Sequence, residues 1–412
     1  MKIKIIYILI LVFILSFSDY FLKYLNLNIP SGYKQALIII FIISNFDFFL
    51  KSLNFDKRFK ALFFLLIFIS IINFSTEDIS SRNFLIGLVF TFLFHLTFLT
   101  SFNIKINLFS FKRYLQIIIF VYFLSSLFSL VSFLGTLDYR SQETLFKELG
   151  AYGTAMNFAL IFSITLILLT RNKVYLFFSI FFTIAIFSTL LKKSIFDCII
   201  IWLIYFLLNI KIKNFFQYLF TFIFFIYLFF LPFKKDLFDN IQNQIDYMEN
   251  TSTDGVRVIM YVTAFNLSIT KFPLGSGLGT FGAPSSIINE YSKTYYETGI
   301  NLIHELSPDL VMDGKPHTLF DTFWPHILGE FGFIGTLLFI FLWIYPVYLL
   351  YKFKKKCKLL KLPYKHFYFL IITMFFVISF DGFTLFIPEI PLFLALFNIT
   401  SGLALSYLKN LS

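Results

Sequence analysis

Apolar runs of about twenty residues, each long enough for a helix to cross a bilayer, follow one another along almost the whole chain. One long polar stretch, Lys234 to Asp321, interrupts them. With 58% hydrophobic and only 14% charged residues, and a mean hydropathy of +0.82, the chain lies far outside the range of soluble domains. It reads as an all-α, polytopic membrane protein.

Spans are expected near residues 3–25, 33–50, 59–74, 84–100, 114–135, 152–170, 174–190, 194–210, 214–232, 322–350, 366–381 and 384–407, twelve in all. The amino-terminal Met1-Lys-Ile-Lys-Ile-Ile-Tyr resembles a signal peptide's basic region. The apolar run continues past Phe17 with no small-residue cleavage site, so it reads as an uncleaved first helix. An even number of spans puts both termini on one side. Lysine and arginine gather in alternate short connections, among them Lys57, Arg58 and Lys60 and the lysines from Lys352 to Lys365. The positive-inside bias then makes both termini cytoplasmic and turns the long polar stretch outward. The expected organisation is residues 1–233 as nine helices, 234–321 as a large external loop with short helices, and 322–412 as three more helices. Within the loop, Ser285 to Ile303 reads as a helix lying on the outer face with its tyrosines at headgroup level. Cys198 and Cys357 fall at different membrane depths, so no disulfide is expected. The net charge of +11 follows from the topology, and no nucleic-acid motif accompanies it.

The polar stretch concentrates the chemistry. Arg257 follows a capping Thr253-Asp254 at a helix start. There the free amides and a guanidinium fork suit phosphate, although an ion pair with Asp254 or Asp246 is an alternative. The run Pro273-Leu-Gly-Ser-Gly-Leu-Gly-Thr-Phe-Gly282 lacks the Gly-Lys-Ser/Thr of a nucleotide loop. Gly275, Gly277 and Gly279 instead let bare backbone turn sharply and approach something closely, or simply make turns. Two further outward connections carry cations: Arg140, and the pair Lys192 and Lys193. Three cationic loops together suit a lipid-linked phosphate or pyrophosphate. For acid or base work the candidates are Asp321 and His317, which flank the tenth span. His326 and Glu330, four apart, are expected to pair inside the bundle. His95 and Asp197 are polar residues within spans. No zinc-type spacing occurs, so metal binding is not expected.

The helix plan, the Arg-containing helix start, the glycine run and Asp321-Thr-Phe-Trp-Pro-His-Ile-Leu-Gly-Glu-Phe-Gly-Phe-Ile-Gly335 together resemble the O-antigen ligase and polymerase superfamily. Within it the closest likeness is to the Wzy-type polysaccharide repeat-unit polymerases. The resemblance implies a glycosyltransferase of the cytoplasmic (inner) membrane whose site opens to the periplasm. Such enzymes move a glycan from undecaprenyl pyrophosphate onto another lipid-linked repeat unit, with no cofactor or metal, alongside a flippase and a chain-length regulator. It also implies functional arginines at Arg140 and Arg257. Lys192 and Lys193 stand where ligases carry a Ser-Arg pair. Asp321, nine residues before Glu330, stands at the ligases' His-Asn position. That departure favours polymerase over ligase and leaves the base open between Asp321 and His317. A flippase or other transporter is the rival from another class. Transporters show repeated halves and charged residues at the midplane, whereas here the polar chemistry gathers in one loop.

Overall fold

The computed structural model describes residues 33–47, 56–76, 79–136, 149–209, 253–287, 290–312, 322–359, 364–383 and 391–410, with positions 8, 10–12, 14, 144, 146 and 319. Among these residues every regular element is a helix. The long helices are α1 (Tyr33–Ser44), α2 (Lys57–Thr76), α3 (Ser81–Asn103), α4 (Leu108–Thr136), α5 (Leu149–Thr170), α6 (Val174–Ser188), α7 (Lys192–Asn209) and α8 (Thr253–Thr270). Two short helices follow, α9 (Lys293–Glu297) and α10 (Pro308–Met312), and then α11 (Phe323–Leu359), α12 (Tyr364–Asp381) and α13 (Pro391–Asn410). Among the described residues, six helices are long and apolar enough to cross a membrane: α2, α3, α4, α5, α11 and α12. This is the architecture of a multi-pass membrane protein. The expected spans at 3–25 and 214–232 fall largely or wholly outside the described residues.

Helix α5 is the hub, packed by α4, α6, α7 and α12, with Tyr152, Phe158 and Phe162 fully buried. Helix α2 is peripheral: Phe59 and Leu66 point inward, while Phe64, Phe68 and Ile71 form an exposed apolar stripe suited to lipid. Many hydroxyls inside these helices donate to the preceding turn, as when Thr97 donates to Leu93 O at 2.8 Å and Ser163 to Ala159 O at 2.8 Å. Lipid gives helices no hydrophobic reason to associate, so close packing at small residues carries more weight. Between α3 and α13, Gly402 sits against Ser101 and Phe98, and Ser406 Oγ donates to Ile104 O at 2.7 Å. At one end of the bundle Lys352 Nζ lies 3.2 Å from Asp56 Oδ2. Burial pushes the Asp56 carboxyl up, but the Arg58 amide, Lys352 and Tyr345 outweigh it and hold the group below its usual range.

Three expectations change. First, α11 is not one straight span. In a straight helix, residues 323 and 343 stand roughly 30 Å apart, yet the rings of Phe323 and Trp343 are 5.8 Å apart. Phe331 and Phe339 are also neighbours, at 6.4 Å. The helix folds back on itself at Gly332 (φ 61°, ψ −169°), giving a short arm, 323–331, beside a long arm, 333–359. Second, the segment expected to hold only short helices contains a long one, α8. It packs along α11, and Val258, Val262, Phe265 and Ile269 make an exposed apolar stripe down its other side. That three-to-four spacing lines one side of the helix with apolar side chains. Third, Ser285 to Ile303 is a string of short turns rather than one surface helix, broken by Gly299 at φ 74°. Tyr291 and Tyr295 are buried in protein rather than placed at headgroup level.

Candidate functional site

The fold-back at Gly332 leaves carbonyls at the end of the short arm without intrahelical partners, and the glycine run supplies them. Ser276 N donates to Gly329 O at 2.9 Å, and Gly277 N to Glu330 O at 2.9 Å. Ser268 Oγ, from α8, donates to Leu328 O at 2.8 Å. Asn73, near the end of α2, donates to Leu274 O at 2.7 Å. Gly275 and Gly332, both at positive φ, touch backbone to backbone: a Cβ on Gly332 would stand 2.6 Å from Gly275 N.

The run then curls around a carboxylate. Glu330 Oε1 accepts from three successive amides, Gly279 at 2.9 Å, Thr280 at 2.9 Å and Phe281 at 3.0 Å. Glu330 Oε2 lies 3.2 Å from His326 Nδ1, the pairing expected from their spacing. That same nitrogen lies 3.1 Å from Phe281 O. A carbonyl can only accept, so Nδ1 carries the hydrogen. Consecutive amides turned inward are an anion nest, and the anion in this one is the protein's own glutamate. Beyond it, Tyr295 OH accepts from Gly282 N at 2.7 Å and pairs with Ser286 Oγ at 2.7 Å. Burial pushes the Tyr295 phenol up, so it stays a neutral hydroxyl.

A second polar centre forms at the carboxy-terminal end of α12. Asp381, 1% exposed, lies 3.1 Å from Lys193 Nζ at the start of α7. It also accepts from Thr154 Oγ1 of α5 at 2.6 Å. Two residues on, Phe383 O accepts from Tyr261 OH of α8 at 3.2 Å. Arg257, one turn before Tyr261, acts electrostatically on that hydroxyl. The short arm of α11 starts here too: Phe323 N donates to Gly382 O at 2.9 Å. Lys193 and Arg257, far apart in sequence, are thus brought to the same end of α12, where the chain enters the fold-back.

Of the residues singled out in the sequence, Gly275, Gly277 and Gly279 line the fold-back and the nest. Lys193 is paired with Asp381, Lys192 is exposed beside it, and Arg257 is half-buried. Arg140, His317 and Asp321 lie outside the described residues. Asp381 is the residue that sequence reasoning missed. A carboxylate in the last turn of a helix, at the macrodipole's negative pole, is a signal that a cation is needed nearby. No protein-family model matches the chain, and no curated protein matches it.

Proposed function

We propose that the protein polymerises lipid-linked oligosaccharide repeat units on the outer side of the cytoplasmic membrane, moving a glycan from a polyprenyl pyrophosphate carrier to a second carrier-linked unit. The observation that carries the reading is that Lys193 pairs with Asp381 and that Arg257 lies one turn from Tyr261, whose hydroxyl reaches Phe383 O, both toward the end of α12 where Thr322, the residue after Asp321, also lies. Lys193, 16% exposed beside Asp381, and the half-buried Arg257 are cationic groups suited to an anionic ligand at this helix end. A diphosphate joined to a lipid fits both the charge and the apolar flank offered by α8.

In this reading the cations hold the diphosphate and stabilise the charge that develops as it leaves, an effect worth a few kcal/mol for each well-placed donor. Asp321 or His317 takes the proton from the acceptor hydroxyl as it attacks the anomeric carbon. The diphosphate is a good leaving group, so a single displacement with inversion is sufficient and no covalent intermediate forms. The Glu330 nest, already filled by its own carboxylate, serves as the rigid floor that positions the loop.

The surface glycan of a strain lacking the protein tests this. Loss of the ladder with one repeat unit kept on the lipid core is the expected result. Bare core with accumulated lipid-linked polymer indicates a ligase, and absence of external lipid-linked units indicates a flippase.

A further inference from the structure

His95, within α3, is 3% exposed and boxed by phenyl rings. Phe94 stands 4.0 Å from it and Phe339 of α11 5.8 Å, with Phe63 and Phe59 of α2 at 6.1 and 6.2 Å, centroid to centroid. Among the described residues no protein group partners its Nε2. Charged or neutral, an imidazole carries at least one N–H, and a donor left unmet in an apolar interior is costly. The phenyl rings supply no acceptor oxygen for it.

A small cavity lies against the same imidazole, and Leu342, Trp343 and Pro346 of α11 and Asn398 of α13 line its other sides. Trp343 spends its Nε1 on Ser379 Oγ at 2.8 Å. Two acceptors remain on the lining residues. Pro346 sits inside α11 and has no N–H, so it cannot give Leu342 O the usual helical hydrogen bond. Asn398 uses its Nδ2 on Leu394 O at 2.9 Å, which leaves Oδ1 to accept. The cavity offers about 10 Å³ to the centre of a water molecule, and one water needs roughly 10–15 Å³ on that measure.

We propose that this cavity is a binding site for one water molecule, which accepts from the His95 imidazole and donates to Leu342 O and Asn398 Oδ1. Three hydrogen bonds are the usual complement of a buried water. An apolar occupant would leave the imidazole N–H and both oxygens unmet. The three partners belong to three helices, so the water ties α3, α11 and α13 together inside the bundle, where lipid gives helices no hydrophobic reason to associate. His95 is then a structural residue, held in an apolar helix by the bond it gives to water. This inference does not rest on the diphosphate reading.

The test uses the full chain in lipid nanodiscs. A brief X-ray pulse in heavy-oxygen water turns water into hydroxyl radicals, which oxidise side chains beside a bound water before they diffuse away. Mass spectrometry then reads the label. Trp343, 3% exposed, should be labelled severalfold more than Tyr114, which is fully buried with its hydroxyl 2.9 Å from Thr400 Oγ1. His95→Gln, which keeps an N–H, should retain the Trp343 label. His95→Phe should bring it down to the level of Tyr114, and Pro346→Ala, whose new amide can take Leu342 O, should lower it. Wild-type Trp343 labelled no more than Tyr114 means a dry cavity and overturns the site, whatever the variants do. A wild-type level of label in His95→Phe overturns the bond from the imidazole, and the same result in Pro346→Ala overturns the bond to Leu342 O.

Discussion

The carboxylate of Glu330 lies 2.9 Å from the amide of Gly279, and the amides of Thr280 and Phe281 converge on the same oxygen. The glycine run is therefore held by a charge on the short arm of α11, and the short arm is held in return by amides of the run. Glu330→Ala leaves three buried amides without an acceptor, each costing about 1–3 kcal/mol. Glu330→Gln keeps a carbonyl oxygen in the nest. The alanine variant should show a large fall in thermal unfolding midpoint in detergent and the glutamine variant a small one. A wild-type midpoint for Glu330→Ala would mean that the nest does not hold the fold together.

Gly275 and Gly332 make a sharper test because each combines positive φ with backbone contact. Gly332→Ala places a Cβ 2.6 Å from Gly275 N, and neither backbone can yield without undoing the fold-back. Gly150 and Gly255 have open space where a Cβ would go. Membrane-extracted protein should lose its monodisperse elution with Gly332→Ala and keep it with Gly150→Ala or Gly255→Ala. Normal elution of Gly332→Ala would show that residues 323–331 do not depend on the turn.

Sidedness is tested by cysteine labelling in a background lacking Cys198 and Cys357. Ser285 is fully buried and would not report, whereas Leu302 is 83% exposed and Lys354 is exposed at the Asp56 end of α11. Leu302→Cys should label with an impermeant reagent on intact cells, and Lys354→Cys only after permeabilisation. The expectation rests on the lysine and arginine bias of the short connections. Labelling of both from one side would overturn the topology and with it the outward site.

Helices α2 to α7 were legible in the sequence as successive apolar runs, of which α2 to α5 are long enough to cross a bilayer. The pairing of His326 with Glu330 was legible from a spacing of four. The fold-back was not: Phe323 to Leu359 is apolar on both arms, and nothing in the sequence tells Gly332, the glycine at positive φ, from Gly329 and Gly335. Helix α8 was legible from the capping Thr253-Asp254 at its start, whereas its packing along α11 was not. The placing of Lys193 depends on Asp381, and that of Arg257 on the reach of Tyr261 to Phe383, both at the far end of an apolar helix. No local pattern in α7 or α8 could announce that meeting point.

Arg257 stands at that meeting point, and its planar fork suits a diphosphate in a way that an ammonium does not. Arg257→Ala should abolish polymer without lowering the amount of protein in the membrane. Arg257→Lys should keep partial activity. Immunoblots of membranes and surface-glycan gels from the same cells read the two quantities separately. Normal polymer length in the alanine variant removes Arg257 from the site.

The base is the remaining assignment, between two residues of one short segment. His317 has the ordinary pKa better suited to accepting a proton near neutrality. Asp321 stands at the position, relative to Glu330, where the resembling ligases carry their histidine, and cations bound to diphosphate nearby keep a carboxylate ionised and able to orient a hydroxyl. Asp321 is one residue from Thr322 and two from Phe323, whose amide is tied to Gly382 beside Asp381 and Lys193. His317 is four residues further from that anchor. Asp321→Asn should therefore give membrane-inserted protein that still binds inorganic pyrophosphate but makes no polymer, while His317→Gln retains measurable activity. If the histidine variant is inactive and the asparagine variant polymerises, the proton goes to His317, and the likeness drawn through Glu330 misplaces the base.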